Sequence, residues 1–217
     1  MLTISGRKVC ESVSEVVSPE RAVLAVIDIE DSEMWSKGAD AIILQKVKEL
    51  IESARNINLP VFYFFNQRGP SLNNISPAYI RVLMNLGWDI ERIRTEWPEG
   101  EAVGALHPDF NPRPNESVLP KGRGAAFEGT DFELLLKSMQ RESVILVGCS
   151  TDWCLEATAW YATNKDYYTV VVEDCVRGPR PDGHAAALKQ FRAIGLDVLD
   201  SSELSKIWGT MLPAATD

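Results

Sequence analysis

Ser143-Val144-Ile145-Leu146-Val147-Gly148-Cys149-Ser150-Thr151-Asp152-Trp153-Cys154 is an apolar run that breaks at a glycine and passes through small and polar residues to the second of two cysteines. Residues 143–147 read as a strand buried on both faces, and residues from about 152 to 163 as the helix that follows. Upstream, Ala22-Val23-Leu24-Ala25-Val26-Ile27 is a second such run, with Asp28 at its carboxyl tip. Residues 39–54 carry helical periodicity through Ile42, Ile43, Val47, Leu50 and Ile51, and Leu59-Pro60 halts the chain before another strand, Val61-Phe62-Tyr63-Phe64-Phe65. That order is a βαβ unit.

The same alternation continues to the end of the chain. A short strand is expected near residues 116–119, a helix over 130–139, a strand over 169–172, a helix over about 181–193 and a last strand over 196–199. Such an order predicts an α/β fold, a parallel sheet with helices on both faces. Residues 66–120 are rich in Pro, Asn, Gly and Trp, with a helix possible over 76–86, and read as a lid. No internal repeat, low-complexity tract or linker divides the chain, so one domain over residues 1–217 is expected.

Composition narrows the partners. With 22 Lys and Arg against 31 Asp and Glu, the net charge of -9 argues against nucleic acid and anionic membranes and favours a small-molecule or protein partner. The start of the chain lacks the apolar core of a secretory signal, and no run reaches the length of a membrane span, so a cytoplasmic protein is expected. Cys10, Cys149, Cys154 and Cys175 are irregularly spaced and read as free thiols.

In an open parallel sheet, ligands bind beyond the carboxyl ends of the strands, near the point where strand order reverses. Asp28, Asn66, the Cys149 to Cys154 turn and Glu173-Asp174 are the polar residues expected there. Cys154 falls at a helix N-terminus with Thr151 or Asp152 as cap, where the dipole would lower a thiol pKa. Position alone leaves a small buried apolar cysteine equally open. A carboxylate at the tip of a buried strand, as Asp28 would be, must be paired or functional. Lys121, just after another strand, could approach the same edge.

Three segments together resemble the isochorismatase-like cysteine hydrolases. They are Val26-Ile27-Asp28-Ile29-Glu30, Lys121-Gly122-Arg123-Gly124-Ala125-Ala126-Phe127-Glu128-Gly129-Thr130-Asp131, and Gly148 to Cys154, in the family's order. The resemblance runs from about Ala22 to Leu199. It implies a three-layer αβα, Rossmann-like fold with a six-stranded parallel sheet and a catalytic triad of Asp28, Lys121 and Cys154. It also implies a cis peptide between Cys149 and Ser150, with the N–H groups of Ser150 and Cys154 forming an oxyanion hole. Asp28 would take the thiol proton, Lys121 would hold the charges, and Cys154 would attack an electrophilic carbonyl.

The chain departs from the family pattern in two places. Ile29-Glu30-Asp31 stands where many members carry Gln and then Asn after the aspartate. Metal-binding members carry Asp-x-His and a further His after the second strand, where this chain has Asn66-Gln67-Arg68; no metal and no cofactor are therefore expected, His107 and His184 being far apart. A Rossmann dinucleotide fingerprint is absent after the first strand, and no cysteine forms a Cys-x5-Arg phosphatase loop. Trp35 and Trp153 flank triad members and are expected, with Phe127 and Asn66, to line the pocket. Arg123 or Arg68 would hold a substrate carboxylate.

The resulting expectation is a cysteine hydrolase cleaving a C–N bond of a small amide, ureido or carbamoyl compound through an acyl-enzyme. The alternatives are hydrolysis of an isochorismate-like vinyl ether and a catalytically silent binding protein. Family precedent and six tryptophans also suggest a homo-oligomer, a dimer or tetramer.

Overall fold

The structure, a computed structural model, describes residues 1–212. It starts with a feature that the alternating pattern does not announce, an antiparallel hairpin of β1 (Leu2–Ile4) and β2 (Arg7–Val9). One helical turn follows, α1 (Val13–Val16), closed by a capping box between Ser12 and Glu15.

The first central strand is β3 (Ala22–Ile27), all of whose residues are buried. Helix α2 (Gly38–Asn56) returns the chain to β4 (Val61–Asn66). The chain then leaves the sheet for α3 (Pro77–Asn85) and α4 (Ile90–Glu96) before re-entering as β5 (Ser117–Lys121). Next come α5 (Phe132–Ser138), β6 (Ser143–Cys149), α6 (Cys154–Asn164) and β7 (Tyr168–Arg177). The chain closes with α7 (Pro181–Ala193), β8 (Asp197–Leu199) and α8 (Ser201–Gly209).

All six sheet strands are parallel, in the order β5-β4-β3-β6-β7-β8. The period of two along a strand divides β3 between two cores. Leu24 and Val26 pack with Val47 and Leu50 of α2 and with Leu204 and Trp208 of α8. Val23, Ala25 and Ile27 pack on the other side with Phe132 of α5, Leu155 of α6 and Phe191 of α7. The expected three-layer arrangement is therefore present. A third, smaller cluster of Ile75, Leu83 and Ile93 holds α3 and α4 together as a cap over the sheet's edge. Among the described residues, no helix is long and apolar enough to cross a membrane.

Two expectations change. Strand β7 runs to Arg177 rather than stopping at residue 172, and its register against β6 shifts between Leu146 and Gly148. Glu173 and Asp174 thus lie inside the strand instead of at its tip, and Asp174 is occupied by Lys46 at 2.8 Å and Ser201 at 2.7 Å. The polar pair misled because a bulge lets a strand continue past residues that look like its end.

Gly148 sets the closest approach between the two central strands. Its φ is +111°, and a Cβ there would lie 2.0 Å from the Ile27 carbonyl oxygen, a backbone atom that cannot move aside. Gly148→Ala is expected to cost at least about 2 kcal/mol of stability, seen as a lower urea midpoint. An unchanged midpoint would show that the strands separate without loss.

Candidate active site

Strand order reverses between β3 and β6, which places their carboxyl ends at the switch point of the sheet. Three of the expected residues meet there. Asp28 follows β3 in the left-handed region, with φ 51°, while its own N–H still donates to Phe64 O at 3.0 Å. Asp tolerates that conformation better than most residues. Lys121 ends β5 and crosses over the end of β4, and Cys154 begins α6.

Lys121 Nζ lies 2.8 Å from Asp28 Oδ2, and both side chains are almost wholly buried. Its angles fall outside hydrogen-bond geometry, so the carboxylate keeps lone pairs without a partner. The ammonium also donates to Asn66 Oδ1 at 2.8 Å and to Arg123 O at 2.9 Å. Asn66 is oriented in turn by Glu30, whose Oε1 accepts from Asn66 N at 2.8 Å and Nδ2 at 2.7 Å. Glu30, at the position where the family pattern has Gln, is thus the second carboxylate of a relay running Glu30, Asn66, Lys121, Asp28. Its other oxygen pairs with Arg68 at 3.2 Å, and Arg68 reaches Glu96 at the end of α4 at 3.5 Å.

Burial pushes the Asp28 carboxyl above the ordinary carboxylate range, against the pull of Lys121. Burial works against the charged form of Lys121, but the neighbouring Asp28 charge leads the opposing causes, and its pKa is raised. The Cys154 thiol is driven upward by burial first and then by the Asp28 charge, with Lys121 opposing. This reverses the expectation of a dipole-lowered thiol. Neither Thr151 nor Asp152 caps α6; Trp153 does, without a side-chain hydrogen bond. At rest the site holds a neutral thiol beside Asp28, which sets the order of any proton transfer.

The peptide between Cys149 and Ser150 is cis, as the resemblance implies. Ser150 O accepts from Trp153 N at 3.0 Å and Leu155 N at 3.1 Å, whereas no backbone carbonyl among the described residues takes the N–H of Ser150 or Cys154. Those two groups therefore have capacity for an oxyanion. Cys149 turns inward, its thiol contacting Asp28 O at 3.5 Å, and burial raises its pKa to about 12.

A cavity of about 480 Å³ opens in front of Cys154. Asn66, Arg68, Arg123 and Trp153 line it, in agreement with the pocket expected for them. Trp35 and Phe127 do not. Trp35 is 1% exposed in the core under α2, and Phe127 packs against Phe132, at 4.8 Å between rings, in the opposite core. Closeness in sequence to a triad residue misplaced them, because both side chains point into helix-sheet layers. The walls that sequence reasoning missed are Tyr79, Leu83, Leu86, Trp88 and Trp97 from the cap, and Asp152 with Arg180. The clustering of tryptophans in the lid segment was the available signal.

The segment that carries metal ligands in some relatives is committed elsewhere. The Asn66 carbonyl oxygen takes the Lys121 ammonium, and Arg68 brings positive charge between Glu30 and Glu96. His184 Nδ1 bonds Thr151 Oγ1 at 2.9 Å, and the His107 ring packs on Phe110. Exhaustive chelation is therefore expected to leave turnover unchanged; activity lost to EDTA and restored by zinc would contradict this.

A family model for the isochorismatase domain matches residues 22–203. Maleamate amidohydrolase of Pseudomonas putida is 36% identical over 90 residues, which cover 42% of this chain and 42% of that protein. Ureidoacrylate amidohydrolase of Pantoea ananatis is 24% identical over 189 residues, 76% of this chain and 72% of that one. The match thus spans less than half the length of the maleamate enzyme. Among solved structures, a cysteine hydrolase from Pseudomonas syringae superposes with a TM-score of 0.74 at 17% identity, over 90% of this chain and 96% of the other.

Proposed function

The chain belongs to the isochorismatase family, and on that premise we propose that it is a cysteine amidohydrolase that cleaves the C–N bond of a small amide, ureido or carbamoyl compound. The observation that carries this reading is the buried Asp28–Lys121 pair at 2.8 Å set beside a pocket-lining thiol. The amidohydrolase activities carried in the names of two relatives support it.

Because the thiol is neutral at rest, attack and proton transfer are coupled. Cys154 Sγ bonds to the substrate carbonyl carbon while its proton passes to Asp28, whose pKa is raised toward the working range. The carbonyl oxygen takes the negative charge and lies against the N–H groups of Ser150 and Cys154. Collapse re-forms the C=O bond and breaks C–N, and Asp28 returns the proton to the leaving nitrogen, which departs as ammonia or an amine. Asp28 then removes a proton from water, the hydroxide adds to the thioester, and Cys154 leaves with the proton restored. Lys121 stays charged throughout and keeps Asp28 ionised between steps.

Vinyl ether hydrolysis is the second reading, and it does not use the thiol. A panel of small amides and ureido acids, assayed for ammonia, tests the first. Release of ammonia from at least one panel member supports it, and silence across the panel with intact fold removes it. The reading also places the protein in the cytoplasm, in keeping with four unpaired thiols.

A further inference from the structure

The cavity has two chemically different ends. Around Cys154 it is polar, while its outer wall is built by the cap, where Leu83, Leu86, Trp88 and Trp97 face the same space as Trp153. The cap wall is fixed by packing of its own. Leu83 belongs to the small cluster with Ile75 and Ile93, Trp88 and Trp97 pack against that cluster, and the Arg92 guanidinium lies 3.8 Å over the Trp88 ring. An amide no larger than the reacting group would leave these rings facing water. At about 480 Å³ the space is within the range of sites that enclose ring-bearing ligands.

The cations of the cavity differ in how far they are already neutralised. Lys121 is paired with Asp28, Arg68 with Glu30 and Glu96, and Arg180 with Asp152 at 2.8 Å. Arg123 is different. Among the described residues no carboxylate lies within ion-pair distance of it, and its guanidinium contacts only the carbonyl of Gly122, at 2.6 Å. It is exposed at the cavity's edge, its own backbone carbonyl taking the Lys121 ammonium at 2.9 Å, so its side-chain charge is available to a ligand. A guanidinium in that state favours a carboxylate, which it can bind through two parallel hydrogen bonds.

We propose that the substrate is an amide or carbamoyl compound whose arm beyond the scissile bond carries both a carboxylate, met by Arg123, and a bulky apolar group, an aromatic ring foremost, met by Trp88 and Trp97. This rests on the amidohydrolase reading of the same site, and deepens it. Burying a ring against the cap should tighten binding about 10-fold or more, and an exposed charge pair about 3- to 5-fold. The ring is therefore the larger determinant and the carboxylate the orienting one.

The test is calorimetric titration of the Cys154→Ala protein, which binds without turnover, with N-carbamoylphenylalanine, its methyl ester and N-carbamoylglycine. The aromatic acid should bind about 10-fold or more tighter than the glycine compound and about 3- to 5-fold tighter than the ester. Arg123→Gln in the same background should erase the preference for acid over ester. Trp97→Ala should shrink the preference for the ring, circular dichroism confirming that each variant is folded. Equal affinity for all three probes, no binding by any of them, or an acid preference that survives Arg123→Gln would overturn the inference. Ammonia assays on the unmutated protein separate the two claims. If the aromatic acid binds as expected but no amide releases ammonia, the hydrolytic reading fails and the pocket assignment stands. If small neutral amides are hydrolysed while the probes bind alike, the reverse holds.

Discussion

Ammonia release from any amide substrate is expected to fall by about 10⁴-fold or more on Cys154→Ala, with melting behaviour unchanged. The side chain lost is small and lines the cavity, so little packing goes with it. What is lost is the atom that forms the covalent intermediate. Brief mixing of enzyme and substrate, followed by acid quenching, should trap an acyl adduct on the peptide containing Cys154. Alkylation offers a second view. Cys175 is fully enclosed and Cys149 turns inward against Asp28 O, whereas Cys154 lines the cavity, so both should react with iodoacetamide more slowly than Cys154. Cys154 owes its advantage to a neighbouring base and not to a low pKa. Retention of near wild-type turnover by the alanine variant would end the nucleophile assignment.

The second large effect concerns Asp28. Asp28→Asn preserves shape and cannot accept a proton, and turnover should drop at least ~10²-fold. Its pH profile carries the more specific signature. Activity requires the ionised carboxylate, and burial raises its pKa, so the acid limb of the wild-type profile should lie above the ordinary carboxylate range of about 4. Activity therefore rises as pH increases through that raised value, and residual activity of the asparagine variant should show no such limb. Lys121→Ala should cost a comparable factor, with melting measured on the same samples because it leaves a buried carboxylate unpaired. Groups that act as a unit lose function together, so Asp28→Asn combined with Cys154→Ala should be scarcely worse than Cys154→Ala alone. Additive losses would show three residues that share a pocket without sharing a mechanism.

The sheet was readable because each of its central strands is apolar on both faces. Ala22 to Ile27 and Ser143 to Val147 allow no other reading, and the helix between residues 181 and 193 begins at the proline that marks it. Asp28, Lys121 and Cys154 could be named together because three segments in order resemble the isochorismatase-like hydrolases; position alone left Cys154 open. What failed were inferences about side-chain direction. Trp35 and Phe127 stand next to site segments but turn into the cores, and nothing local in sequence reports that turn. The lid and its first helix were legible, but its second helix, α4, was not. Helix α4 has seven residues, too few for a clear period, and the tryptophans that flank it, Trp88 and Trp97, reach the cavity through packing with α3. Glu30 was noticed as a departure, yet its grip on Asn66 needed three dimensions, since the two lie on different strands' ends.

That grip bears on how the protein ages. Asparagine deamidates when the following backbone nitrogen attacks its side-chain carbonyl and expels ammonia. Beside the relay this route is closed, because the Gln67 N–H is tied to Lys121 O at 2.9 Å while the Asn66 amide is pinned from both sides by Glu30 and Lys121. The attacking atom is held by backbone bonding to the neighbouring strand, and its target by the side chains of the relay. During storage, exposed Asn85 and Asn115 should accumulate the acidic product well before Asn66 does. The contacts that orient the lysine thus also protect, over the lifetime of the molecule, a neutral amide whose conversion to a carboxylate would set a second negative charge against Glu30.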